Sequence, residues 1–414
     1  MRLFKQTNID FLKIKWICLW LSIAAILIGT ISLVAKGGPN FGIDFTGGSQ
    51  IVYAFSKTPD ENGIRKIVEA ANVKVTSVQR FDKPEKNQIL LRVPSEKKEG
   101  RDVTKEVSTS LTKAMFPAGE AANAFDLNLN GADALAFKLI QDDPEKLAAR
   151  ASADPKTEYS RTAQNIVDAR SAQGLFGSIE DAAKVPGLSP AVVQYLKDKT
   201  IVGPFTLLSS ESVGPQVGKD LREKGLWAIV LSWAAMLTYI GLRFRSMSFG
   251  TAAVLALVHD TWITLGVCSI LNTEISLTVV AAFLTLIGYS VNDTVVVYDR
   301  IRENLLKSKR EPLGDVVNRS INQTLSRTML TSGLTFLVVV ALFALGGEVL
   351  RGFALVMLIG IIVGTYSSIF VAAPLVVLWE EAKARKNAGG TGQPVVASPA
   401  AAAKKKLTTT AKAR

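Results

Sequence analysis

The amino-acid sequence predicts a polytopic α-helical membrane protein with six transmembrane helices and one α+β extracytoplasmic domain that carries a helical insertion. Three observations lead there. Six apolar runs have the length a helix needs to cross a bilayer, about 20 residues. Lys and Arg gather beside these runs on one side only. A long polar segment between the first and second runs mixes strand-like and helix-like patterns. A chain of 414 residues has room for two or three soluble domains, but a mean hydropathy of +0.25 argues against that organisation.

The runs are Trp16–Val34, Leu226–Leu242, Phe249–Leu271, Ile275–Tyr298, Thr328–Leu345 and Phe353–Trp379. Residues 1–15 precede the first run and bring Arg2, Lys5, Lys13 and Lys15. That basic start and apolar core resemble a secretory signal. The run is too long for one, and Leu33-Val34-Ala35 is a poor cleavage site, so residues 16–34 are read as an uncleaved anchor. Arg243 and Arg245 fill the turn after the second run. Arg300, Arg302, Lys307, Lys309, Arg310 and Arg319 crowd the loop after the fourth. The turn Asn272–Glu274 has no basic residue, and the turn before the sixth run ends on Arg351 alone. The positive-inside rule therefore puts both termini in the cytoplasm and residues 35–225 outside. Because the net charge of +12 flanks membrane runs in this way, no nucleic-acid partner is expected. Cys18 and Cys268 both fall in apolar runs and are expected as buried fillers, not a disulfide.

The external segment opens on Phe41–Gly48, where Gly42, Gly47 and Gly48 surround Asp44. Glycine there permits positive φ or close backbone approach as the chain leaves the membrane. Gln50–Phe55, Val73–Phe81, Gln88–Val93 and Phe205–Val213 read as strands. Pro59–Ala71 and Asp102–Phe116 read as helices. Residues from about 117 to 204 break this rhythm with helical patterns at Asp133–Arg150, Thr162–Ser171, Ser178–Lys184 and Pro190–Lys199, the first interrupted at Asp142, Asp143 and Pro144. Val185-Pro186-Gly187-Leu188 resembles a helix-hairpin-helix turn with Ser189 in place of its second glycine. An external location and mixed local charge favour a packing role over DNA binding. Gly214, Pro215 and Gly218 then lead into the five-helix bundle of residues 226–379. Residues 380–414 turn to Ala, Gly, Pro, Thr and Lys and are expected to be a disordered basic tail. Lys404–Lys406 could touch anionic lipid or a ribosome, a solvated tail being the simpler expectation.

The fourth run holds the candidate chemistry. Asp293 sits in it beside Asn292, with Tyr289, Ser290 and Thr294 close in sequence. A charged carboxylate at mid-helix costs roughly 2.5–3.5 kcal/mol on insertion scales, so a chain that keeps one there uses it for ion coupling or for pairing with a cation on another helix. His259-Asp260, midway through the third run, is either a relay or a hydrogen-bonded packing pair. Gly288, Gly360 and Gly364 allow close helix approach, and the last two permit either tight packing or sliding. The sequence contains no Gly-rich phosphate loop, metal cluster or nucleophile–base set, so no covalent catalysis and no cofactor are expected.

Phe41–Gly48, Val213–Gly218, Ala256–Asp260, Gly288–Asn304 and Arg327–Gly333 closely resemble the SecF family, the smaller half of the SecD–SecF accessory complex of the bacterial protein translocase. The resemblance covers all six spans and most of the external domain, and it implies a multi-pass protein of the bacterial cytoplasmic membrane, related to resistance-nodulation-division transporters. It implies SecD as the other half of the bundle, and the SecYEG channel, preproteins, membrane lipid and other translocase subunits as partners. Protons would be the coupling ion. Family roles put Asp293 at the proton site as carrier, with Arg327 tuning it or replacing its proton. Asn292 and Asp260 join the pathway, and Tyr289, Ser290, Thr294 and His259 give polar support. A static Asp293–Arg327 pair fixing helix register is the alternative. At the level of the whole protein, the alternatives are half of a proton-driven efflux transporter and a passive translocon scaffold.

Overall fold

A computed structural model describes residues 7–81, 84–95, 102–116, 125–150, 154–308 and 311–387. The chain divides into two compact units, Met1–Gly42 with Leu221–Arg414, and Ile43–Asp220. The second unit lies within residues 35–225, the segment expected outside the membrane. Helix α1, Lys15–Ala35, is apolar all round and buries only Ser22, Gly29 and Leu33.

In the second unit, α2 (Ile43–Thr46) leads to β1 (Gly48–Phe55), α3 (Glu61–Ala70), β2 (Ser77–Phe81), β3 (Gln88–Pro94) and α4 (Val103–Met115). Asp60 and Asp102 cap α3 and α4 by accepting the backbone N–H of Asn62 and Lys105. An antiparallel sheet of order β2-β3-β1-β6 forms once β6 (Phe205–Val213) returns beside β1. Strand β1 sets Ile51 opposite Leu91 and Tyr53 opposite Ile89. Ile51, Tyr53 and Phe55 share one face by the two-residue period and pack with Ile64, Val68, Val107, Leu111 and Phe205. The strand expected from Val73 begins only at Ser77, where pairing with β3 starts opposite Arg92. Val73 and Val75 still enter the core.

The expected helical insertion is present and has its own core. It comprises β4 (Phe125–Asp126), α5 (Ala132–Asp142), α6 (Pro155–Gln173), α7 (Ile179–Ala183), α8 (Pro190–Lys199) and β5 (Thr200–Ile201). Strands β4 and β5 pair in parallel, and Leu135, Leu139, Tyr159, Ile166, Phe176 and Leu196 are buried together. Helix α6 starts seven residues before the expected Thr162, because Asp154 caps it and Pro155 suits its first turn. Helix α5 ends where Asp143 turns left-handed, and only a single 3₁₀ turn, Leu147–Ala149, follows. Gly187 adopts φ +86° in the turn before α8, and Ser189 caps that helix through Val192 N–H. The departure from the hairpin pattern therefore supplies a cap.

The membrane unit continues with α9 (Pro215–Phe244), α10 (Met247–Ile270), α11 (Leu277–Lys307), α12 (Leu313–Leu345), α13 (Gly347–Ser367) and α14 (Ala373–Asn387). A π-helical segment, Ser368–Ala372, joins α13 and α14 into one span. Pro374 follows it after Ala373. Proline has no N–H for the carbonyl of Phe370 and its ring crowds that carbonyl, which accounts for the widened turn. Six helices are long and apolar enough to cross a membrane; α10, α11 and the sixth are largely buried, while α1, α9 and α12 are largely exposed. Several outlast their apolar runs. Helix α12 begins at Leu313 because Val316, Val317 and Ile321 continue its buried face. Helix α14 runs on to Asn387, into the stretch expected to be disordered, since Glu380–Arg385 are good helix formers and Glu380 accepts the hydroxyl of Ser248. Residues 388–414, with Lys404–Lys406, lie outside the described residues, as do Arg2, Lys5, Lys309 and Arg310.

Two contacts define this bundle. At the crossing of α1 and α10, a Cβ on Gly29 would lie 2.8 Å from Gly266 Cα, so the backbones meet directly. Ahead of α1, Ile9 and Phe11 are fastened to α12 by side-chain amides. Asn322 Oδ1 accepts Ile9 N–H at 2.9 Å, and Asn318 Oδ1 accepts Phe11 N–H at 2.8 Å.

Candidate functional site

Among the described residues, two buried carboxyls occupy the membrane unit. Asp293, on α11, is 3% exposed. Its hydrogen-bond partner is Ser332 of α12, whose hydroxyl donates to Oδ2 at 2.8 Å. The static ion pair with Arg327, given above as the alternative, is not formed among the described residues. Helical geometry accounts for this. Arg327 precedes Ser332 by five residues on α12, which turns it about 140° away from the face that meets α11. Arg327 is exposed, and so is Asn292. The Tyr289 hydroxyl is buried without a hydrogen-bond partner, and Thr294 bonds the carbonyl of Ser290 on its own helix. Of the residues expected around Asp293, none is hydrogen-bonded to its carboxylate.

Ser290 serves the second carboxyl instead. Asp260 of α10 is 1% exposed, and its Oδ2 accepts the hydroxyls of Ser290 at 2.5 Å and Ser367 at 2.8 Å. His259 Nδ1 lies 2.9 Å from Oδ1. With Asp260 as a carboxylate, which offers only lone pairs, Nδ1 is the donor of this pair. His259 Nε2 is then left buried and unpartnered, with the ring stacked against Tyr366. Three helices, α10, α11 and α13, thus converge on one side chain.

Glycines make the convergence possible. A Cβ on Gly364 would stand 3.1 Å from the Ser290 side chain, and one on Gly360 would collide with Leu286. Both seat α13 against α11, as tight packing requires. Gly288 differs from expectation, since a Cβ there would meet nothing within 4 Å and the residue points outward. Ser332 and Ser367 were not singled out as site residues from sequence. Each is a hydroxyl in an apolar helix, a signal too common to point to a carboxylate.

The external motif has a steric basis. Gly47 adopts φ +71°, and a Cβ on it would lie 2.8 Å from Pro215 Cα; one on Gly218 would lie 2.9 Å from Gly47 N. Gly48, at φ +127°, leaves no room before the carbonyl of Val93. The two stretches therefore pack backbone to backbone. Asp44 lies in α2, Pro215 opens α9, and Gly214 has open space. Gly42 belongs to the membrane unit, where its N–H bonds Ile275 O and a Cβ would lie 2.6 Å from Glu274.

Residues 194–382 match the family described as protein export membrane protein SecD/SecF, C-terminal, and residues 31–59 match the SecD/SecF GG motif. The chain is 43% identical to protein translocase subunit SecF of Koribacter versatilis over 92% of its own length and 94% of that protein's. The chain belongs to the SecF family. A SecF from Desulfurispirillum indicum is 36% identical over 90% of this chain. The crystal structure of SecDF, a translocon-associated membrane protein from Thermus thermophilus, superposes with a TM-score of 0.61 at 28% identity, covering 91% of this chain and 39% of the longer one. Membership of SecF assigns the chain a transport role in Sec-associated protein export, as a multi-pass membrane protein.

Proposed function

We propose that this SecF chain pairs with SecD in the bacterial cytoplasmic membrane and uses the proton gradient to promote the late stage of preprotein export from SecYEG. The observation that carries the reading is Asp293, a carboxyl buried inside a membrane-spanning bundle with one neutral hydroxyl partner and no close ion pair. A carboxyl so placed can exchange a proton without first breaking a salt bridge. Arg327 and Asn292 face outward from spans at which lipid would be a poor solvent for them, which supports a second bundle covering that face. A fused SecDF in Thermus thermophilus supports SecD as its source. Arg327 then tunes Asp293 across the junction, and Asp260 is a further carboxyl on the pathway. Each proton supplies about 2.3 kcal/mol per 100 mV of membrane potential. No cofactor beyond protons is invoked, and both termini lie in the cytoplasm.

The test uses inverted membrane vesicles. Asp293→Asn should still copurify with SecD while gradient-stimulated preprotein translocation is lost. Stimulation that survives the substitution at full strength would overturn the proton-carrier role.

A further inference from the structure

Between α12 and the sixth span the membrane unit leaves an open groove of about 430 Å³. Met329, Gly333 and Phe336 of α12 line one side, and Ile361 and Ile362 of α13 the other, together with Ile369 of the π-helical segment. Gly333 keeps the space free, since a Cβ on it would meet nothing within 4 Å. Ser332 also lines the groove and bonds Asp293, which lies midway along the 31 residues of α11. The groove is therefore at mid-span, where the surroundings are hydrocarbon. We propose that it is a binding site for one acyl chain of a membrane lipid, which enters between the exposed side chains of Met329 and Ile362 and covers the Ser332 side of the Asp293 contact.

The lining selects a hydrocarbon ligand. Its polar side chains are turned to other work: Ser332 Oγ donates to Asp293, the Tyr366 hydroxyl donates to Cys18 O, and Thr365 Oγ1 is buried. An apolar groove left unfilled forfeits the dispersion contacts of its walls, and an acyl chain restores them. Position on α12 decides between lipid and a protein partner. At 100° per residue, Phe336 lies about 180° round α12 from Arg327, and Met329 and Gly333 are also on the far side. Arg327 and Asn292 mark the face assigned above to SecD, so a bundle docked there leaves the groove open to lipid. The choice of occupant rests on that pairing; the groove itself belongs to this chain alone.

The test reconstitutes the full chain with SecD in vesicles of phosphatidylethanolamine and phosphatidylglycerol. These carry a trace of phosphatidylcholine with a diazirine at the middle of one acyl chain, and adducts are mapped by peptide mass spectrometry after illumination. Ile361 and Ile369 are 2% and 4% exposed, so lipid at the outer surface does not reach them, whereas Leu231 on α9 is 61% exposed and reports that outer lipid. Adducts are expected on Ile361 or Ile369 as well as on Leu231. Gly333→Trp fills the groove and should lower the deep adducts about tenfold or more, leaving Leu231 labelled. Gly333→Leu, a smaller filler, should act in the same direction and stands in should the first variant fail to fold. Labelling of Leu231 with none at Ile361 or Ile369, or deep labelling that both fillers leave unchanged, would overturn the proposal. Deep adducts that form on the chain alone but vanish with SecD present would give the groove to a protein partner and overturn it too. Copurification of SecD is scored separately, which tells failure of the pairing apart from failure of the lipid site.

Discussion

Ser332 Oγ donates to Asp293 Oδ2 across 2.8 Å, joining α12 to α11 through a hydrogen bond from a neutral hydroxyl, at a position where an ion pair with Arg327 is one of the alternatives in the sequence. That distinction sets how the buried carboxyl works. A guanidinium locked to it would hold its charge permanently, whereas a hydroxyl can donate to the charged form and accept from the protonated one.

The first prediction follows from this contact. Ser332→Ala removes the donor, and a hydrogen bond to a charged group is worth about 1.5–3 kcal/mol. Gradient-stimulated translocation in inverted vesicles should drop by about tenfold or more, each 1.4 kcal/mol being one factor of ten. Ser332→Thr keeps the hydroxyl and should retain most of the stimulation. Equal loss in both variants would mean that packing, not the hydrogen bond, matters there.

A second prediction concerns the crossing of α1 and α10. Gly29→Ala places a methyl 2.8 Å from Gly266 Cα, and the backbones must separate. Overpacking of this kind costs about 1–3 kcal/mol. Thermal unfolding of the purified chain in detergent should show a lowered Tm, while Gly288→Ala, with open space around it, should change stability by less than about 0.5 kcal/mol.

The third lies in the external insertion. Burial pushes the Asp126 carboxyl above its ordinary range, only partly offset by the N–H groups of Asn128 and Gly203 on Oδ1. Folded Asp126 therefore keeps its proton to higher pH than the unfolded chain does. Stability falls as pH rises from the unfolded value to the raised folded one, and the full penalty is present above that window. Hydrogen-exchange opening free energies for α5 and α6, corrected for intrinsic rates, should decline across the window in the wild type. In Asp126→Asn that decline should vanish, and an unchanged slope would contradict the assignment.

The sequence makes the six spans and the order of external elements legible because both follow from short-range pattern. Apolar length marks a span, and two-residue alternation marks β1 and β3. The glycines at 47, 48 and 218 are legible as backbone contacts for the same reason, since their freedom is local. Lateral contacts are different. Whether Asp293 meets Arg327 or Ser332 depends on the rotation of α12 about its axis, which packing against α11 and α13 decides. The meeting of Ser290 with Asp260 joins residues thirty apart, and that of Ser367 with Asp260 joins residues over a hundred apart. No periodicity within one helix encodes either. Gly29 and Gly266 escape for the same reason, each being an ordinary glycine until the other is placed against it. The π-helical segment Ser368–Ala372 is not among the sequence expectations, although Pro374 beyond it is visible there.

The measurement that bears most directly on the central claim is infrared difference spectroscopy of the reconstituted chain with SecD, following the carbonyl stretch of a protonated carboxylic acid across a pH titration. The account predicts a component of that band that rises as pH falls and is missing from the titration of Asp293→Asn, the other carboxyls contributing equally in both. A carboxyl at position 293 that stays charged at every pH would contradict it.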